Sequence, residues 1–298
     1  MFDYHYDLLT EVYINQNNIQ KLKEKYKRVY NKDNITGGIF NLFFMSEKQM
    51  EDELNISRQE INLKEMLYKV HKLIIENNII PKETKYVYGI EGLDYLEKID
   101  DVEYLYKLGV RSTNIVWNNE NKFGGGSKSN KETGLTTLGR KLVEKLVEQG
   151  ITIDLSHANE KTFFDIVDYL MYLKKKGKKV RVIASHSNSK KLCDVPRNLT
   201  DEQLLCIHKL EGIVGIVGVK KFCKTGDENE VILEDYLRHV KHISNLFGGM
   251  DKIGIATDDM SYYPINVEYN AKMNLFGIKN VKAMLSNIKS EPQVIDMN

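Results

Sequence analysis

The sequence predicts an α/β protein built as a single (β/α)8 TIM barrel. Three observations lead there. Short β-branched or aromatic runs alternate with longer amphipathic stretches, a pattern of parallel βαβ units. Eight such short runs can be counted. The chain has 298 residues, and a barrel of this type takes about 250. An open doubly wound sheet is the competing arrangement.

The strands are expected near Phe2–Asp7, Gly38–Phe44, Lys85–Glu91, Ser112–Trp117, Ile151–Ser156, Val180–Ser185, Ile213–Val219 and Ile253–Thr257. Helices are expected between them. The stretch Leu135–Gly150 opens on Thr136 or Thr137 as an N-cap. It carries Leu138, Leu142, Leu146 and Val147 on one stripe and stops at Gly150. Residues 160–176, 200–210 and 232–247 read likewise. The region Ser46–Asn78 is long for one connection and should hold two helices, or one helix and a cover over the barrel mouth. No internal repeat or linker divides the chain, so residues 1–298 are read as one domain.

Composition excludes several classes. Lys and Arg number 43 against 42 Asp and Glu, a net charge of +1. Such a balance gives no pull toward nucleic acid or an anionic membrane. The tract Lys174–Lys179 reads as a solvated helix end, and Phe123–Ser127 (FGGGS) lacks the lysine and serine of a phosphate loop. No apolar run approaches the roughly 20 residues of a spanning helix, and the N-terminus does not read as a secretory signal. Three cysteines without a CxxC pair fit a reducing, cytoplasmic setting.

In such a barrel the chemistry sits at the carboxyl ends of the strands. The first predicted strand carries His5 and Asp7, whose spacing of two puts both on one face. The third ends at Glu91, the fifth in Asp154-Leu155-Ser156-His157, the sixth in Ala184-Ser185-His186-Ser187, and the eighth in Thr257-Asp258-Asp259. Of seven histidines, three fall at strand ends. The others, His71, His208, His239 and His242, lie on predicted helices; His239 and His242 share a face that should be solvated. Imidazoles mixed with carboxylates suit Zn²⁺, Mn²⁺ or Fe²⁺ rather than Ca²⁺ or Mg²⁺. The donors suffice for two ions if one carboxylate bridges them, which is equipment for hydrolysis.

The run from His5-Tyr6-Asp7 through Gly89-Ile90-Glu91-Gly92, Asp154-Leu155-Ser156-His157 and Ala184-Ser185-His186-Ser187-Asn188 to Pro196-Arg197-Asn198-Leu199-Thr200 resembles the membrane (renal-type) dipeptidases, peptidase family M19. The likeness covers about residues 3–260, and the segment 262–298 diverges. It implies a barrel of the metal-dependent hydrolase type and a zinc-dependent dipeptidase acting on a small dipeptide-like substrate. His5 and Asp7 would hold one zinc, His157 and His186 the second, and Glu91 would bridge. Asp258 would handle the proton, and Arg197 would grip the substrate's terminal carboxylate. Two departures bear on substrate choice. Trp117 stands where the family commonly has a histidine after the fourth strand, so it is expected to shape the pocket. Asp259-Met260-Ser261 replaces Phe-Asp-Gly. The competing readings are an amidohydrolase for another small amide, such as an N-acyl amino acid, and a metal- or ligand-binding barrel without catalysis. A homodimer is open, since no motif bears on assembly.

Overall fold

A computed structural model describes residues 2–33, 36–44, 61–227 and 230–259. Eight strands close into one all-parallel barrel in sequence order. They are β1 (Phe2–Tyr6), β2 (Gly37–Phe43), β3 (Lys85–Glu91), β4 (Val110–Asn114), β5 (Thr152–Asp154), β6 (Val182–Ala184), β7 (Ile213–Val217) and β8 (Ile253–Ala256). Around them run α1 (Leu8–Ile14), α2 (Ile19–Asp33), α3 (Leu63–Asn77), α4 (Asp101–Lys107), α5 (Thr137–Gln149), α6 (Glu160–Lys175), α7 (Asp201–Lys209), α8 (Lys220–Cys223) and α9 (Leu233–Phe247).

The helix ends follow local chemistry. Thr136 caps α5 by accepting from the Gly139 N–H at 2.9 Å, and Gly150 closes it at φ 80°. That is a left-handed turn glycine enters without a Cβ penalty. Asn159 caps α6 and Thr200 caps α7, the latter in a reciprocal box with Gln203. Phe2, Tyr4, Ile39, Val87, Ile183 and Ile213 form a buried cluster of their own. Tyr4 packs against Gly254, where any Cβ would strike its ring. The larger core lies where strands meet helices.

The shortest ladder is β1 against β8, which pairs Asp3 with Ile255. Beyond the ladder, the Asp258 N–H donates to the His5 carbonyl at 2.9 Å, and a side chain adds to it. The buried Asp3 carboxylate accepts from the backbone N–H groups of His5 (3.1 Å) and Thr257 (3.0 Å) and from the Thr257 hydroxyl (2.5 Å).

Two expectations change. The fourth strand runs over Val110–Asn114 rather than Ser112–Trp117. Asn114 is its last paired residue, against Glu91 of β3 and Asp154 of β5, and its side-chain amide donates to the Ser156 carbonyl at 2.7 Å. The face carrying His239 and His242 is not solvated. His239 is fully buried, between the Ser189 N–H (3.1 Å) and the Cys223 carbonyl (2.9 Å). His242 pairs with Asp201 at 2.7 Å. Within Ser46–Asn78, α3 is present; residues 45–60 lie outside the described residues, as do 260–298, which include Met260, Ser261 and the divergent C-terminal segment.

Candidate active site

The carboxyl ends of the strands bring together every site residue singled out from the sequence. His5 comes from β1, Glu91 from the last position of β3, His157 from the turn after β5, and His186 two residues past β6. Asp7 arrives by another route than strand alternation. It lies beyond the end of β1, at the residue preceding α1. His157 and Asp258 both take left-handed backbone, at φ 71° and 49°. Such conformations are uncommon away from glycine and concentrate at functional sites.

The geometry is tight. His5 Nε2 lies 3.4 Å from Asp7 Oδ1, 3.8 Å from Glu91 Oε1 and 3.9 Å from Asp258 Oδ1. Glu91 Oε1 is 3.1 Å from His186 Nε2 and in direct contact with His157 Nε2. The two latter nitrogens are 2.8 Å apart. Two sets of donor atoms each fit within the reach of one ion: His5, Glu91 and His186, and His5, Asp7 and Asp258. All are buried except Asp258, whose side chain is 23% exposed.

A second layer holds the rings from behind. Ser185 Oγ lies 3.1 Å from His5 Nδ1 and 2.7 Å from His186 Nδ1. Asn118 Oδ1 lies 3.0 Å from His157 Nδ1, and the Asn41 amide lies 3.1 Å from His5 Nδ1. Each imidazole therefore turns Nε2 toward the centre and Nδ1 toward a polar support, the arrangement that orients metal-binding histidines. Sequence reasoning passed over these supports. The available signal was a polar residue inside an apolar strand, as with Asn41 in Gly37–Phe43.

Electrostatics ask for positive charge. Burial and the nearby Glu91 and Asp258 charges push the Asp7 carboxyl well above its usual range, although the His5 imidazolium opposes them. Burial and Glu91 also raise Asp258. Burial acts to lower His5, yet Asp7, Glu91 and Asp258 together raise it to about 10. Burial, with Arg197 and His5 nearby, holds His157 and His186 well below the usual imidazole range, so both are neutral and have a free nitrogen lone pair. Two buried atoms at the centre, His5 Nε2 and Asp7 Oδ1, find no hydrogen-bond partner. Crowded carboxylates, neutral imidazoles and orphaned donor atoms fit a divalent cation, which satisfies all three.

Arg197 is buried beside the cluster. Its Nη2 donates to the His186 carbonyl at 3.3 Å, and its guanidinium lies 5.6 Å from the Phe222 ring centre. The Trp117 ring, half-buried, stands 6.0 Å from His157 and 6.1 Å from Phe43.

The sequence model described as membrane dipeptidase (peptidase family M19) matches residues 1–268. The chain belongs to peptidase family M19. The family's metallopeptidase character implies a metal cofactor, in keeping with the donor groups above. An uncharacterized Klebsiella pneumoniae protein encoded 5′ of pqqA is 31% identical over 166 residues, 53% of this chain and 58% of that protein. In this protein and three further curated relatives, the aligned part covers between 40% and 58% of their length. The solved structure of dipeptidase AC, an M19 metallopeptidase, superposes with a TM-score of 0.73 at 21% identity, covering 98% of this chain and 93% of that one. A Rhodobacter sphaeroides metallopeptidase, solved with a phosphinate mimic of the dipeptide L-Ala-D-Ala, gives 0.69 at 21% identity over 98% and 93%. At these identities the two structures speak for the M19 barrel fold. Among the described residues, no helix is long and apolar enough to cross a membrane.

Proposed function

We propose that the chain hydrolyses the amide bond of dipeptides or dipeptide-like substrates with two zinc ions. The observation that carries this reading is the convergence of three imidazole Nε2 atoms and three carboxylates on one buried mouth, with His5 Nε2 and Asp7 Oδ1 lacking a hydrogen-bond partner. In this reading His5 and Asp7 hold one ion, His157 and His186 the other, and Glu91 bridges them. Mn²⁺ or Fe²⁺ would accept the same donors. When bound, the ions supply a water made acidic at neutral pH and polarise the scissile carbonyl.

The chain's own residues supply the rest. Asp258 takes the proton from the attacking water as the C–O bond forms. It returns that proton to the nitrogen as the C–N bond breaks, so the amine leaves neutral. Arg197 offers a planar fork for the substrate's terminal carboxylate. Its burial strengthens that attraction by excluding water. Trp117 has a single N–H donor and no basic nitrogen, so it shapes the pocket and takes no part in proton transfer.

The test is metal analysis of the purified protein together with a hydrolysis panel. The panel holds dipeptides, their counterparts with a D-configured second residue (suggested by the ligand of the Rhodobacter sphaeroides relative) and N-acyl amino acids. Metal-dependent turnover of dipeptides is expected. Turnover of N-acyl amino acids alone would favour the amidohydrolase reading, which the Phe43–Trp117 aromatic wall supports. Turnover of nothing in a metal-loaded protein would favour a binding barrel. A cytoplasmic setting and a homodimer complete the proposal. Three free cysteines support the former; cell fractionation and light scattering test the two.

A further inference from the structure

Ser185 stands out among the supports because one hydroxyl serves two rings. Its Oγ lies 3.1 Å from His5 Nδ1 and 2.7 Å from His186 Nδ1, and the two ring centres are 3.7 Å apart. The serine is fully buried. Its backbone is pinned as well: the Ser185 N–H donates to Asp154 Oδ1 at 3.0 Å, and the same oxygen accepts from the Ser156 N–H at 3.0 Å. Asp154 thus ties the turn after β5, which carries His157, to the turn after β6, which carries His186. By contrast, Asn118 supports one ring, that of His157, at 3.0 Å.

We propose that Ser185 is a positioning residue shared by both metal positions, the one hydroxyl that orients a ligand of each ion. The inference rests on the two-ion assignment above. An imidazole that ligates through Nε2 carries its proton on Nδ1 and needs an acceptor there. A hydroxyl oxygen has two lone pairs, so Ser185 can accept from His5 and from His186 together. Losing it removes an acceptor from each ring, and the Asn41 amide nitrogen, 3.1 Å from His5 Nδ1, is a donor that cannot replace it. Damage at this one position reaches both ions, whereas damage at Asn118 reaches one.

The experiment measures metal affinity directly, by titrating Zn²⁺ into chelator-stripped protein and counting bound metal, with circular dichroism as the folding check. Wild type should bind two ions. Ser185→Ala should weaken both by about 10- to 100-fold, the usual cost of a lost outer-layer partner. Asn118→Ala should weaken one and spare the other. Ser185→Thr, which restores the hydroxyl, should recover affinity. Ser185→Cys keeps nearly the volume with a weaker acceptor and should fall between, which covers the case of an Ala variant that folds poorly. Folded Ser185→Ala protein with both affinities unchanged, or only one weakened, would overturn the shared role. Wild-type protein that binds fewer than two ions would overturn the two-ion assignment itself, and the shared role with it.

Discussion

Asp258→Asn separates proton handling from every other role of that side chain. Asparagine keeps the shape and one oxygen but cannot take a proton from water. It also tolerates left-handed backbone, which this position requires at φ 49°; alanine there would add strain to the lost carboxylate. The carboxylate lies 3.9 Å from His5 Nε2 and is 23% exposed, close enough to the centre to reach a water there. Burial and the Glu91 charge already raise its pKa, so the ionised form is costly before metal arrives. An uncharged amide removes that cost, and the thermal midpoint of the metal-free variant should not fall. Removing a general acid/base lowers rate by about 10²- to 10⁴-fold, which is roughly 2.7 to 5.4 kcal/mol at about 1.36 kcal/mol per decade. The assay is steady-state dipeptide hydrolysis with metal content measured on the same samples. The expected result is kcat down at least about 100-fold with metal retained. A variant carrying full metal and turning over within about threefold of wild type, far short of a lost general base, would refute the reasoning.

Three other outcomes follow from the same geometry. Stripping divalent ions should lower the thermal midpoint, and adding zinc at about 100 times its dissociation constant should restore about 2.7 kcal/mol for each ion bound; a midpoint indifferent to metal would contradict the crowded-carboxylate picture. Trp117→Ala should raise KM for substrates with a bulky apolar acyl side more than for Ala-Ala, because it removes the wall beside Phe43 and His157; equal effects on both would deny it a part in selection. Burial lowers the pKa of His239 below 6.5, so the folded state holds it neutral while the unfolded chain protonates there. Its contribution is therefore present above pH 6.5 and lost as pH falls below it, by at most about 1.4 kcal/mol per pH unit. Urea midpoints from pH 8 to 5 should show a flatter decline for His239→Gln than for wild type.

What could be read in advance was what local pattern encodes. Buried parallel strands are runs of β-branched and aromatic residues, so eight of them were countable, and helix ends such as Thr136 and Gly150 announce themselves by capping chemistry. The polar residues at strand ends were legible for the same reason, since strand position implies which end of a barrel a residue occupies. The reading weakened where a local rule was extended too far. The fourth strand stops at Asn114 because its neighbours end beside it, at Glu91 and Asp154. His239 looked solvated from helix periodicity, but the loop carrying Ser189 and the end of α8 at Cys223 fold over it.

The chain's own order of residues thus determined the barrel and the inventory of donors, because periodicity and turn chemistry act over a few positions. Only closure decided how those donors meet. Asp3 reaches across to Thr257, 254 positions later, and Ser185 reaches His5, 180 positions earlier. Such pairings depend on strand stagger around the closed sheet, a property of all eight strands at once that no short window of residues contains.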